Sequence, residues 1–319
     1  LGWIASEESF LKQVNWLDLL KLRASYGVNG NLVSRYSSLA TVSSSAAYVF
    51  GDGGSSAYGQ SLSNLPNANL KWEKTHGINI AMDFGVLNNR ITGNIEYYRT
   101  TTKDLIWKKT LPEITGFKEI VDNMGEIANQ GIELTLNATP IRNKNFSWDV
   151  TFNFSRNKNK INHLLGDVNG DGIEDDLVSS NLFIGQSLST IYHYDVDGIY
   201  QLNDDIPEGY YPGSYRIVDH SGDGKLSADD RIILGQSDPA YRFSLHNTFR
   251  YKGFTLKIFL NSVQGGKNGY LANADVFGAY TPQFISSKGM YEEVDFWTPS
   301  NPNGKFRNPA GTSSINPNI

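Results

Sequence analysis

Between Gly131 and Lys160 the chain reads GIELTLNATPIRNKNFSWDVTFNFSRNKNK, two long runs in which apolar and polar residues alternate on either side of a short turn. Ile132, Leu134, Leu136 and Ala138 fall on one face of a strand and Glu133, Thr135, Asn137 and Thr139 on the other, because successive side chains point to opposite faces. The second run sets Phe146, Trp148, Val150, Phe152 and Phe154 against Ser147, Asp149, Thr151, Asn153 and Ser155. The period alone fits any half-buried sheet. Length separates the cases. Strands of globular proteins average about 5–6 residues, whereas a tilted strand needs roughly 9–11 to cross a bilayer, and these runs come close to that. The polar faces, rich in Asn, Thr, Ser, Glu and Asp, suit a wall that faces water.

The same alternation predicts strands over 18–26, 78–84, 91–97, 241–251 and 254–260, which makes seven long strands in all. Tight turns are expected at 87–90, at Pro140 to Asn145 and at Lys252-Gly253, with long connections over 28–70, 103–129 and 158–240 and a tail from Gly265. Short and long connections therefore alternate. That is the pattern of an all-β, antiparallel transmembrane β-barrel segment with short periplasmic turns and long extracellular loops. It places Trp148 and Tyr251 near the periplasmic ends and Tyr97 and Tyr241 near the outer ends of the apolar face, where lipid-interface aromatics collect. The competing architecture is a secreted or surface β-sandwich that binds carbohydrate, with these aromatics in its core.

Composition narrows the choice only a little. The 319 residues are 39% hydrophobic and 19% charged, with a net charge of −5, and no stretch approaches the run of about 18 apolar residues that a transmembrane helix needs. A β-barrel passes that test because half of each strand is polar. With 17 Tyr and 16 Phe the chain favours strands, and its lack of Cys agrees with an oxidising periplasmic route. A mildly acidic chain with no basic run gives no footprint for nucleic acid.

The densest chemistry lies at Asp219-His220-Ser221-Gly222-Asp223-Gly224-Lys225-Leu226-Ser227-Ala228-Asp229-Asp230. Counted from Asp219, the ligand positions of an EF-hand loop fall on Asp219, Ser221, Asp223, Lys225 through its carbonyl, Ser227 and Asp230, with Gly224 at the sharp turn. Position 12 is Asp rather than Glu and position 3 is neutral, so this is a candidate structural Ca²⁺ site of low charge, and no cofactor is required. The alternative is a metal-free Asp/Gly turn whose Ser227 caps a short helix start. Asp167, Asn169, Asp171 and Asp175 form a weaker second candidate, with Val178 at position 12. Loop aromatics Tyr192, Tyr194, Tyr280, Phe284 and Trp297 are candidates for contact with substrate or partner, or for packing the loops. There is no GxSxG, HExxH, P-loop or dinucleotide fingerprint and the five His are scattered, so no enzyme and no catalytic residue is predicted.

The stretches SEESFLKQVNWLDLLKLRASYGVNGN (6–31), NANLKWEKTHGINIAMDFGVLNNRITGNIEYYRTTTKDLI (67–106), NQGIELTLNATPIRNKNFSWDVTFNFSRNKNKI (129–161), SGDGKLSADDRIILGQSDPAYRFSLHNTFRYKGFTLKIFL (221–260) and FWTPSNPNGKFRNP (296–309) resemble the SusC/RagA group of TonB-dependent outer-membrane transporters of Bacteroidetes. The resemblance implies that residues 1–319 are part of a 22-stranded barrel, the size class of plugged outer-membrane transporters. It also implies TonB-dependent import of oligosaccharides, or sometimes peptides, in the outer membrane of a Gram-negative bacterium, together with a SusD-like surface lipoprotein. On this reading the chain is a late-middle piece of the barrel, without plug, TonB box or closing strands. The TonB complex would then act through an N-terminal region that lies outside it.

Overall fold

A computed structural model describes residues 1–49, 54, 56–267 and 295–308. In chain order its strands are β1 (Gly2–Ile4), β2 (Leu17–Asn31), β3 (Val42–Val49), β4 (Ser56–Leu62), β5 (Glu73–Val86), β6 (Ile91–Lys103), β7 (Ile106–Thr110), β8 (Glu119–Asn123), β9 (Glu126–Arg142), β10 (Phe146–His163), β11 (Thr190–Tyr194), β12 (Val196–Ile199), β13 (Tyr215–Ile217), β14 (Arg231–Gln236), β15 (Tyr241–Tyr251) and β16 (Phe254–Gln264). Eight of them form one sheet in the order β1-β2-β5-β6-β9-β10-β15-β16. All seven predicted long strands are in it, each beside its neighbour in the chain, and the short β1 adds an edge.

Register makes the two faces continuous. Leu22 lies opposite Met82, Met82 opposite Ile95, Ile95 opposite Leu134, Leu134 opposite Phe154 and Phe154 opposite Phe243. One residue along, Lys21, Asp83, Asn94, Thr135, Asn153 and Ser244 make the matching polar row. The apolar face is bare: Ile78 is 48% exposed, Ile80 55% and Phe254 81%. A sandwich would bury that face, so the sandwich alternative fails. One polar side chain interrupts it. Asn247, opposite Val150, is buried and accepts a hydrogen bond from the Trp148 indole N–H at 3.1 Å.

Two boundaries differ from expectation. Pro140 is no turn residue: β9 runs through it to Arg142, because a bulge opposite Trp148 and Val150 takes up the residue with no N–H to donate, and the turn is confined to 143–145. The long strands also extend well beyond their apolar runs. β10 has 18 residues, about 60 Å at roughly 3.3 Å each, more than twice an apolar band of about 25 Å.

The chain divides into two compact units, Leu1–Leu188 with Tyr241–Val263, and Ser189–Ala240 with Gln264–Ile319. The second contains the antiparallel pairs β11–β14 and β12–β13 and closes around Trp297, which is 2% exposed.

Candidate functional site

The polar face of the sheet is a hydrogen-bonded wall. Arg23 grips Asp83 with two bonds of 2.8 and 2.9 Å and comes within 3.9 Å of Glu96, which also accepts from Asn79. Toward the tight turns, Asp149 accepts from Thr139 at 2.8 Å and from Arg250. Between these clusters Thr135 donates to Asn153, Asn153 to Ser244 and Thr151 to Asn137, at 2.8–3.2 Å. Gly131 leaves room for the Tyr98 ring, since a Cβ there would sit 2.5 Å from it, and the Tyr98 hydroxyl reaches Asn157 at 3.1 Å. Short polar groups fixed by their neighbours in this way make a hydrated wall.

The limit of the apolar face is stepped. Going outward, apolar residues end at Val28 on β2, Ile78 on β5, Tyr97 on β6, Ile132 on β9 and Phe154 on β10. Val28 already faces His76, Ile78 faces Arg99 and Ile132 faces Arg156, whereas Tyr97 and Ile132 face each other. The edge thus slips by one two-residue row at three of four strand borders. Three rows are about 20 Å and four strand spacings about 19 Å, a slope of about 45°, close to the tilt of roughly 35–45° at which strands cross an outer membrane. Tyr97 therefore marks the apolar edge from the middle of β6, with six more residues of strand beyond it. Tyr241 opens β15 and Tyr251 closes it, and Trp148 stacks on Phe249 at 5.7 Å.

The two Asp/Gly loops close on their own backbones. Asp219 accepts from the N–H groups of Gly222 and Gly224, and Asp167 from those of Gly170 and Gly172, at 2.6–2.8 Å. Asp223 caps Lys225 N–H, as Asp171 caps Ile173 N–H, both at 2.8 Å. Gly222, Gly224, Gly170 and Gly172 all have φ between 72° and 86°, where a side chain would be strained. The closing acids differ. Asp230, fully buried, accepts from Ser227 N–H at 2.7 Å and Ser221 N–H at 3.0 Å, and Asp229 N–H bonds the Ser227 hydroxyl, which completes the cap expected at Ser227. Those backbone donors, Ser227 first, hold the Asp230 carboxyl down at about 2. In the other loop Asp175 accepts from Val168 and Asn169 N–H, and Asn169 Nδ2 donates to both Asp175 and Asp171. Beside it, burial works against the Glu174 carboxylate, yet His163 and the N–H groups of Leu164 and Gly166 leave it below the usual range. Among the described residues no group of three or more His, Cys, Asp or Glu converges to hold a metal ion. The Ser221, Lys225 and Ser227 positions serve the same loop closure.

The loop aromatics are dispersed. The Trp297 indole donates to Gln201 at 2.9 Å and its ring covers Gly213, where a Cβ would come within 2.5 Å. It is therefore a packing residue, with no face left for a ligand. Tyr194 is half-buried, with Arg231 5.5 Å from its ring centre, and Tyr192 is half-buried on the same strand. Tyr280 and Phe284 lie outside the described residues. Tyr200 and Tyr210, whose rings are 5.6 Å apart, pack in the same unit as Trp297.

A family profile described as TonB dependent receptor-like, beta-barrel, matches residues 13–281. The chain is 32% identical over 97% of its length to a TonB-dependent receptor of Formosa agariphila, covering 31% of that protein. It is 34% identical over 85% of its length to the TonB-dependent receptor SusC of Bacteroides thetaiotaomicron, covering 27% of it. Among solved structures, the RagAB peptide importer superposes with a TM-score of 0.65 in its open-open state, at 23% identity over 82% of this chain and 27% of that one. In its closed-closed state the TM-score is 0.59 at 25% identity, over 82% of this chain and 28% of that one. The chain spans 27–32% of the length of the curated relatives it matches.

Proposed function

The chain belongs to the TonB-dependent receptor-like β-barrel family, in its SusC/RagA branch, and from that premise we propose that it is a wall segment of an outer-membrane importer of nutrient oligomers. The observation that carries this reading is the stepped apolar edge. A bare apolar face bounded by a line at about 45° to the sheet's rows is what a bilayer leaves on strands tilted by roughly 35–45°, while the opposite face stays hydrogen-bonded and polar. Such proteins sit in the outer membrane of Gram-negative bacteria and are transporters, not enzymes.

For this chain the proposed cargo is oligosaccharide, handed over by a SusD-like lipoprotein and drawn in by the TonB complex acting on parts of the receptor outside residues 1–319. In support stand the similarity to SusC and the neutral amides and hydroxyls of the wall, Asn94, Thr135, Asn153 and Ser244, which suit sugar hydroxyls and water better than they suit charge. The Asp219–Asp230 loop is proposed to close on its own backbone, with Ca²⁺ at most an addition to a loop already formed. The test is to express the receptor with its natural flanks, fractionate the envelope and follow uptake of labelled oligosaccharides and of peptides in cells with and without the adjacent lipoprotein. Outer-membrane recovery and lipoprotein-dependent sugar uptake are expected. Peptide uptake alone would overturn the cargo, and a soluble, detergent-independent monomer would overturn the whole reading.

A further inference from the structure

Beyond the apolar edge the strands keep their two faces, and the outward one turns cationic. Two residues past Ile78 and Tyr97 stand His76 and Arg99, with Lys74 further out on β5, and past Phe154 come Arg156, Lys158 and Lys160. Register gathers them: Arg99 shares a cross-strand row with Gln130 and Lys158, Arg156 lies beside Ile132 one row nearer the apolar band, and Lys160 lies beside Ala128 one row further out. Strand and row spacings put the Cα atoms of Arg99, Arg156, Lys158 and Lys160 about 7–13 Å apart. All four side chains are exposed, and among the described residues none of them has an ion pair or hydrogen bond to a carboxylate. Among the described residues the one acid on this face at this level, Glu126, is taken by Lys103 at 3.3 Å and Asn162 at 2.8 Å.

On the opposite face the charged row of Glu96, Glu133, Ser155 and Arg242 lies on the apolar-band side of Arg156, and the two rows beyond it carry no charge. There the rows read Asn79, Tyr98, Gly131 and Asn157, then Gly77, Thr100, Asn129 and Asn159. A basic surface needed only for solubility would not choose one side of a sheet, and the chosen side is the one continuous with the lipid-facing band. Long Lys and Arg stems lie along apolar surface while their heads reach outward, and guanidinium groups pair with phosphate through two bonds.

We propose that Arg99, Arg156, Lys158 and Lys160 form a binding site for the phosphate groups of glycolipid in the outer leaflet, whose acyl chains lie against Tyr97, Ile132 and Phe154. The Tyr97 hydroxyl, 3.5 Å from Gln130 Oε1, marks the level where chain gives way to headgroup. The site rests on the membrane-wall reading above. A free phosphate ion would gain nothing from the apolar band beneath, which is why a lipid is the assigned occupant.

The test uses the full-length receptor that carries this segment, in zwitterionic detergent micelles doped with lipid A or with dephosphorylated lipid A, and measures binding of each. Lipid A is expected to bind more tightly, and each neutralised cation to cost about fivefold, so that R99Q/R156Q/K158Q loses roughly 100-fold and with it the preference for phosphate. K12Q/K144Q/K252Q removes as much charge near the tight turns and is expected to leave the preference intact, and 10 mM inorganic phosphate, in on the order of 1000-fold excess over lipid, is expected not to compete. Heat-modifiable electrophoretic mobility reports whether each variant has folded, and the three single variants replace the triple if it has not. Equal binding of the two lipids, an unchanged triple variant, displacement by inorganic phosphate, or a lipid-independent change in oligomeric mass would each overturn the site. Any of these in a receptor that still requires detergent leaves the wall reading standing; a receptor that needs no detergent sinks the wall instead.

Discussion

In the eight-stranded sheet Ile80 is 55% exposed and Phe254 81%, whereas in the unit built from Ser189–Ala240 and Gln264–Ile319 Trp297 is 2% exposed and Asp230 is fully buried. The sheet holds its shape through ladders between long strands and polar clusters on one face, and its apolar side chains wait for a solvent that is not water. The other unit gathers a core of its own from residues far apart in the chain, such as Gln201 and Trp297. Burial thus reports the intended surroundings of each region. An apolar side chain left bare is no defect where lipid covers it, and a buried Trp in a loop unit shows that the loop folds as a body.

If that contrast is right, the largest effect comes from emptying the core of the second unit. Trp297→Ala removes the ring that covers Gly213 and the indole donor to Gln201 Oε1, and is expected to cost about 3–5 kcal/mol. Hydrogen exchange would show amides of 189–240 losing protection while those of β5, β6 and β9 keep theirs. Loss of protection throughout the sheet would mean that the two units do not fold separately.

The next effect tests the faces of the sheet against each other. Leu134→Arg puts a charge midway along the apolar run of β9 and is expected to cost about 2–4 kcal/mol of assembly in a bilayer, the range for a basic residue near the midplane. Asn94→Arg, opposite Thr135 on the polar face, is expected to stay within about 0.5 kcal/mol. Folded fractions in lipid vesicles with increasing urea give both values. Equal costs would remove the distinction between lipid and lumen.

Legibility follows the same divide. The sheet could be read because the alternation holds, Asn247 apart, wherever one face meets lipid, and strand order, register parity and the turns at 87–90 and 252–253 all follow from it. Past Tyr97 and Phe154 the outward residues are mostly Arg and Lys and the inward ones mostly Tyr, Thr, Ser and Asn, so both faces turn polar and the signal stops although the strands continue. Gly2-Trp3-Ile4 is too short to alternate, and Pro140 reads as a turn until a bulge is known to absorb it. In the second unit the Ser227 cap was legible because its partners lie within three residues. The Trp297 contacts were not, since Gln201 stands 96 positions away and no local pattern points to it.

A smaller effect distinguishes the loop closed by Asp230 from its surroundings. The folded carboxyl sits at about 2, below the value of about 3.9 for a free Asp. Its contribution is therefore complete above pH 4 and is lost as pH falls toward 2. Asp230→Asn keeps one acceptor of the two that serve Ser221 and Ser227. The variant should melt below the parent at pH 7, and the gap should narrow between pH 4 and pH 2. A gap that does not change with pH would mean that packing, not charge, closes the loop.

The smallest expected effect is that of Ca²⁺. A cation held by Asp219, Asp223 and Asp230 at a Kd of about 10 μM would add about 2.7 kcal/mol at 1 mM Ca²⁺, which a melting curve detects. The carboxylates of this loop are already bonded to the N–H groups of Gly222, Gly224, Lys225, Ser221 and Ser227, so the loop is closed before any cation arrives. No shift is expected between chelator and 1 mM Ca²⁺, in the parent or in Asp223→Ala. A rise in the parent that the variant abolishes would show that the second unit owes its closure to an ion as well as to its core, and the contrast with the sheet would then have to be drawn for the metal-loaded unit.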